Sequence, residues 1–106
     1  MPYNETIVAL STPTGESALA MIRLSGPMCH KIGQSVTGNK QSLIARYARL
    51  GKYLDIKKSE IDQCIFTYYS HNQSFTGESM LEITPHGNPL IVQKILTDLI
   101  LSLIHI

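Results

Sequence analysis

The chain has 106 residues, of which 43% are hydrophobic and 16% charged, and its net charge is +1. This size suits a single domain, and the hydrophobic content excludes an intrinsically disordered chain. We interpret the lysines and arginines as scattered, so no basic stripe is expected that would bind nucleic acid by itself.

The first half of the chain predicts two strands and a helix. Thr6–Leu10 is the first strand, and Ala18–Leu24 is the second because its apolar residues alternate. A helix follows Ser25–Pro27 and ends at Gly38–Asn39, since apolar residues recur at every fourth position between them. These recurring residues are Met28, Ile32 and Val36.

The second half predicts three strands and a helix. The strands are Tyr47–Leu54, Gln63–Tyr69 and Met80–Thr84, with a polar loop at Ser70–Ser74. A helix starts at Pro89. The order ββαβββα predicts an α+β fold with a mixed β-sheet of about five strands and two main helices.

The segment 74–90 is the most densely specified part of the chain. Gly77 permits a positive φ in a turn. Leu81 and Ile83 lie on one strand face and Glu82 on the other. Asn88 is a good N-cap for the helix that follows.

The last helix is expected to be amphipathic. Its predicted apolar stripe consists of Ile91, Val92, Ile95, Leu96, Leu99 and Ile100. The residues expected mostly on the other side are Gln93, Lys94, Thr97, Asp98 and Leu101.

The cysteines and the chain termini predict a cytoplasmic protein. Cys29 and Cys64 lie far apart and form no CxxC pair, which favours reduced thiols over a disulfide scaffold. The first residues lack the basic and apolar regions of a secretory signal. The apolar run 95–106 contains Asp98 and is too short to span a bilayer, so no membrane partner is expected.

Two charged residues, Arg23 and Glu82, occur inside otherwise apolar strands. One interpretation is a structural ion pair, because charges are rarely buried unless paired. The other is a polar ligand pocket, in which the Arg fork binds a carboxylate and the Glu accepts two hydrogen bonds from a heterocycle. A folate offers both groups, one on its glutamyl tail and one on its pterin ring.

No catalytic or metal-binding constellation is apparent in the sequence. The four histidines show no HxxxH spacing and no cysteine near enough to complete a zinc set. His86, which precedes a helix start, is interpreted either as a ligand contact or as a residue that fixes the turn. We therefore predict no catalytic residues and no metal site.

Five sequence blocks resemble one protein family. They are Thr6–Leu10, Thr12-Pro13-x-Gly15, Ile22–Pro27, Ser74–Glu78 and His86-Gly87-x-Pro89. In order and spacing they are similar to the N-terminal domain of the bacterial tRNA-modification GTPases of the MnmE family, also called TrmE. The resemblance covers residues from about Thr6 to Leu99, and we interpret residues 1–106 as one such domain, with the G domain and the helical domain absent.

The resemblance implies a function for this domain. In the family it binds 5-formyltetrahydrofolate and mediates homodimerisation, and the full-length enzyme modifies the wobble uridine of certain tRNAs with the flavoprotein MnmG (GidA). Arg23 and Glu82 fall on the folate-contacting Arg and Glu of the family. A further ligand-contacting Lys lies beyond Ile106. GTP, magnesium and potassium would bind only to the G domain, so the chain alone is not expected to be an enzyme.

Two loops depart from the family pattern. Thr14, Glu16 and Ser17 replace a Pro, a frequently basic residue and a Gly. Pro85 and Asn88 replace Gly residues, which restricts the backbone. The alternative hypothesis is thus a non-catalytic dimerisation module with a decayed folate pocket. A stand-alone one-carbon transferase is disfavoured because no acid–base constellation is present.

The residues Leu101–Ile106 have two interpretations. They match one translation of a transposon-end adapter used in sequencing libraries, which predicts an artefactual end and a truncated gene. The other interpretation is a natural apolar helix end.

Overall fold

A computed structural model describes residues 5–12, 19–71 and 77–104 of the chain. These residues form five strands and two helices. In chain order they are β1 (Ile7–Leu10), β2 (Ile22–Ser25), α1 (Cys29–Thr37), β3 (Arg49–Leu54), β4 (Glu60–Tyr69), β5 (Met80–Thr84) and α2 (Pro89–Ile104). The α+β class and the element order predicted from the sequence are confirmed, and β5 has the predicted bounds.

The five strands form one sheet in the order β1-β2-β5-β4-β3. All four pairings between these strands are antiparallel, so the expectation of a mixed sheet was wrong. The connections explain this: β3 and β4 are joined by a short turn, and α1 carries the chain from β2 to the far edge instead of back to a parallel neighbour. Parallel pairing is seen only in the isolated bridge between Ala45 and Tyr68, within the described residues.

Both helices pack on the same face of the sheet. The strand residues of that face are opposite one another in register, as Ile22 is with Ile83 and Leu24 is with Leu81. Their alternation with polar residues buries one side of each strand. The buried core joins them to both helices and consists of Ala20, Ile22, Leu24, Cys29, Ile32, Val36, Tyr53, Cys64, Phe66, Leu81, Ile83, Val92, Ile95 and Leu99.

The helix ends are where the local signals predict them. Gly38 follows α1 in the left-handed region with φ of 69°, and its backbone N–H donates to the carbonyls of Gln34 and Ser35. Asn88 caps α2, because its Oδ1 accepts hydrogen bonds from the backbone N–H of Leu90 at 2.8 Å and of Ile91 at 3.4 Å.

Strands β2, β3 and β4 have different bounds from those predicted. β2 is Ile22–Ser25 instead of Ala18–Leu24, whose first residue lies outside the described residues. β4 begins at Glu60 and β3 at Arg49. The turn between them is tightened by Asp55, whose Oδ1 accepts hydrogen bonds from the backbone N–H groups of Lys57 and Ser59, both at 2.9 Å. This Asx-type turn lets the strand resume at once after Ser59.

The buried side of helix α2 differs from the predicted apolar stripe. Asp98 is buried, at 6% exposure, whereas Ile100 is 48% exposed. The burial of Asp98 has a specific cause, since its Oδ2 accepts a hydrogen bond from the Tyr53 hydroxyl at 2.7 Å and its Oδ1 accepts one from the backbone N–H of Ile56 at 3.0 Å. Both donors come from the end of β3 and the turn after it, so this carboxylate links α2 to the edge of the sheet.

The outward side of α2 is apolar. Leu90 is 74% exposed and Ile104 is 68% exposed, and Leu101 shares their side of the helix. Helix α2 continues through Leu101–Ile104 without a break. Among the described residues, no helix is long and apolar enough to cross a membrane.

Candidate ligand-binding site

Arg23 and Glu82 lie directly opposite one another in the centre of the sheet. Arg23 of β2 pairs with Glu82 of β5, and Glu82 pairs in turn with Thr67 of β4. Because Ile22, Leu24, Leu81 and Ile83 point toward the helices, Arg23 and Glu82 project from the opposite face. The sheet therefore brings the two predicted site residues together on the side that neither helix covers.

The two side chains form an ion pair. Arg23 Nη2 donates to Glu82 Oε2 at 2.7 Å, and Arg23 Nε donates to the same oxygen at 3.2 Å. The Arg23 side chain is 37% exposed and that of Glu82 is 13% exposed. Both arginine donors converge on one carboxylate oxygen, which leaves the second oxygen for other donors.

Tyr69 supplies a donor to that second oxygen. Its hydroxyl lies 3.2 Å from Glu82 Oε1 and donates to it. Partial burial and the neighbouring Glu82 carboxylate raise the pKa of Tyr69, so the phenol keeps its proton and remains a donor. Sequence reasoning did not identify Tyr69. The alternation of side chains in β4 indicates on which face of the sheet Tyr69 lies. Its contact with Glu82 follows only from the register between β4 and β5.

The surroundings of the pair combine exposed apolar groups with further polar contacts. Ile7 of β1 is 40% exposed and Ile65 of β4 is 39% exposed on the same face. Ser25 lies two residues after Arg23 in β2 and therefore on the same face of the sheet. Its hydroxyl donates a hydrogen bond to Glu78 Oε2 at 2.8 Å. Met80, on the same face as Glu82, is only 1% exposed. The pair thus lies in a partly shielded part of the face, where charge interactions are stronger than in bulk water.

His86 is held by Asp62 at the end of the sheet. The backbone N–H of His86 donates to Asp62 Oδ2 at 2.9 Å, and His86 Nδ1 lies 3.1 Å from both carboxylate oxygens. Leu19 forms an isolated bridge with His86. These contacts fix the turn between β5 and α2, which favours the structural interpretation of His86. The partner Asp62 was not identified from the sequence because it lies 24 residues away.

The two cysteine thiols are buried and poorly reactive. Cys29 and Cys64 are free and buried, and burial raises the pKa of each from 9.0 to about 12. The two thiols do not form a disulfide in the structure, and as protonated, buried groups they are poor nucleophiles at neutral pH. No group of three or more His, Cys, Asp and Glu side chains that could hold a metal ion occurs in residues 5–12, 19–71 and 77–104.

Several predicted features lie outside the described residues. Thr14, Glu16 and Ser17 of the altered first loop belong to 13–18. Part of the Ser74–Glu78 block belongs to 72–76. Gly77 is described and has the predicted positive φ, of 76°.

The fold and this ion pair define a class of protein: an α+β domain with a charged pair on the helix-free face of an antiparallel sheet. Comparison with known proteins gives the family. The sequence profile described as "GTP-binding protein TrmE N-terminus" matches residues 6–105. The chain belongs to this TrmE N-terminal family.

Several curated proteins named tRNA modification GTPase MnmE are similar to the chain. The tRNA modification GTPase MnmE of Opitutus terrae is 41% identical over 98 residues, which cover 92% of this chain and 21% of that protein. The protein of the same name from Aquifex aeolicus is 40% identical over 92 residues, with 87% and 20% covered. That of Thermotoga maritima is 39% identical over 98 residues, with 92% and 21% covered. The chain therefore spans about a fifth of the length of the curated relatives that it matches.

Proposed function

We propose that this domain binds a reduced folate, 5-formyltetrahydrofolate, at Arg23 and Glu82, and that it serves a protein that modifies tRNA. The observation that carries the proposal is the placement of a half-exposed Arg and a largely shielded Glu on a sheet face that both helices leave free. The similar proteins are named tRNA modification GTPases. The full-length protein, of which this chain spans about a fifth, would hydrolyse GTP in its G domain, with magnesium and potassium, and would bind MnmG and tRNA.

The chemistry of the pair suits the polar groups of a folate. A carboxylate accepts two parallel hydrogen bonds from the ring N–H and the amino group of a pterin. The arginine fork binds a carboxylate or another polar substituent of the ligand. Arg23 and Glu82 bind each other in the structure, so ligand binding would exchange this contact for contacts with the ligand. Tyr69 would keep Glu82 oriented during this exchange.

Calorimetry with 5-formyltetrahydrofolate tests the role of Glu82. We expect the wild-type chain to bind and Glu82→Ala to lose binding. The matched control is Glu60→Ala, which removes an exposed carboxylate whose ion-pair partner among the described residues is Lys52 at 3.7 Å, and it should bind as the wild type does. Equal binding by Glu82→Ala would refute the assigned role.

The alternative is a dimerisation module whose Arg23–Glu82 pair is purely structural. It is favoured by the same ion pair, since each of the two charges already has the other as its partner. Exchanging the two charges, with Arg23→Glu and Glu82→Arg together, separates the hypotheses. If the pair is structural, the exchanged variant should keep the free energy of unfolding of the wild type. If the pair is a folate site, the variant should lose folate binding. Absence of binding by the wild-type chain would support the decayed module.

We also propose homodimerisation through the outward side of α2. Its support is the row of exposed apolar residues there, which are Leu90, Ile100, Leu101 and Ile104. Two antiparallel copies of such a helix can bury this row against each other around a two-fold axis. Sedimentation should show a dimer for the wild type and a monomer for Ile100→Lys. Ser35→Lys on the exposed side of α1 is the control, and a dimer that survives Ile100→Lys would exclude this surface.

A further inference from the structure

The positive charge of the chain is concentrated in residues 40–58. This segment carries six of the nine Lys and Arg residues and one acidic residue, so its net charge is +5, while the rest of the chain has a net charge of −4. The six are Lys40, Arg46, Arg49, Lys52, Lys57 and Lys58, and all are exposed. The interpretation of the basic residues as scattered was therefore wrong.

The fold places these residues along one edge of the sheet. β3 is the edge strand and spans about 20 Å. The segment before it continues the edge, because the backbone N–H of Arg46 donates to the carbonyl of Tyr68 at 2.7 Å and Ala45 bridges the same residue. Lys57 and Lys58 follow in the turn after β3. We call residues 40–58 the basic edge.

Few acidic groups neutralise the basic edge. Lys52 lies 3.7 Å from Glu60, and both side chains are largely exposed, so this pair is weak. The Asp55 carboxylate accepts hydrogen bonds from the backbone of its own turn. Most of the positive charge is thus directed to solvent, where it attracts a polyanion.

A cavity with aromatic walls adjoins the basic edge. It has a volume of about 110 Å³. Its polar and aromatic lining consists of Thr37, Asn39, Tyr47, Arg49, Phe66 and Tyr68. Tyr47 is 54% exposed at its rim. The exposed Tyr47 ring beside an Asn and an Arg offers the groups that stack on a nucleobase and bind its polar edge.

We propose that the basic edge binds single-stranded RNA, with phosphates on its Lys and Arg side chains and one base stacked on Tyr47 at the cavity. The aromatic cavity favours RNA over an acidic protein, which would use the cations alone. It favours a single strand over a duplex, whose bases are stacked away from side chains. This inference goes beyond the folate proposal and involves neither Arg23 nor Glu82.

The charge component is tested by the salt dependence of binding. Fluorescence anisotropy of a labelled oligouridylate should give a slope of log K against log salt of about −3, as about four phosphate contacts at ~0.7 each require. Arg46→Gln and Arg49→Gln should each reduce this slope by about 0.7. Lys31→Gln, an equal charge change on exposed α1, should leave it unchanged. No binding at low salt, or an equal effect of Lys31→Gln, would overturn the proposal.

The base-binding component is tested with Tyr47→Ala, whose folding is checked by circular dichroism. Loss of one stacked base should weaken oligouridylate binding by about 5-fold or more. Binding of heparin, a polyanion without bases, should not change. If Tyr47→Ala leaves oligouridylate binding intact, RNA recognition at the cavity is refuted. In calorimetry, the Arg46, Arg49 and Tyr47 variants should bind folate as the wild type does. A failure of the RNA proposal can therefore be told apart from a failure of the folate proposal.

Discussion

The buried hydrogen bond between Tyr53 and Asp98 should contribute substantially to stability, and Tyr53→Phe removes it with little change in volume. The bond is short, 2.7 Å from Oη to Oδ2, and Asp98 is 6% exposed. After the substitution the Asp98 carboxylate keeps only the backbone N–H of Ile56 at 3.0 Å. Hydrogen bonds to charged groups contribute about 1.5–3 kcal/mol, so we expect a loss of about 2 kcal/mol.

Urea unfolding followed by circular dichroism measures this loss. With an m-value of about 1.5 kcal/mol/M, the urea concentration at the unfolding midpoint should fall by about 1.3 M. The matched control is Tyr47→Phe, since the Tyr47 side chain is 54% exposed, and its midpoint should stay within about 0.3 M of the wild type. A midpoint for Tyr53→Phe as close to the wild type as that of the control would refute the reasoning.

Four further perturbations test the fold. Burial raises the pKa of Cys29 and of Cys64 from 9.0 to about 12. The stability that the two protonated thiols contribute is therefore complete below about pH 9 and is lost as the pH rises toward 12. Unfolding curves measured at alkaline pH should show this loss. At neutral pH neither thiol should react with a disulfide reagent until urea unfolds the chain, and reaction of the native protein would contradict their burial. Gly26→Ala should cost more than about 2 kcal/mol of unfolding free energy, because φ is 137° and an added Cβ would lie 2.5 Å from Thr6 Cα. Asn88→Ala should cost about 1 kcal/mol through the lost cap of α2, whereas Asn88→Gly should cost only a few tenths, and equal losses would argue against capping.

Local signals predicted the elements well where the determinants are close in sequence. Gly38 ends α1 and Asn88 caps α2, because each acts on backbone groups within a few residues. β5 was predicted with its observed bounds because Leu81 and Ile83 alternate with polar residues. These features depend on backbone geometry and on the period of side chains along one element.

Features that depend on distant partners were missed. Asp98 was placed on the polar side of α2, since its donor Tyr53 lies 45 residues away and no periodicity reveals it. The antiparallel sheet also escaped prediction, because strand order is decided by how the connections cross the core. In the candidate site, Arg23 and Glu82 were recognised as charges within apolar strands. Their direct pairing and the contact with Tyr69 required the register.

The central claim is that the Glu82 carboxylate binds the pterin of a reduced folate. The most direct measurement is the dissociation constant of 5-formyltetrahydrofolate for the wild-type chain and for Glu82→Gln, which keeps the size of the side chain and removes its charge. We predict at least about a 10-fold weaker affinity for Glu82→Gln, because its amide has one acceptor oxygen where the carboxylate has two, so one of the two charge-assisted hydrogen bonds is lost and the other becomes neutral. Equal dissociation constants for the two proteins would contradict the claim.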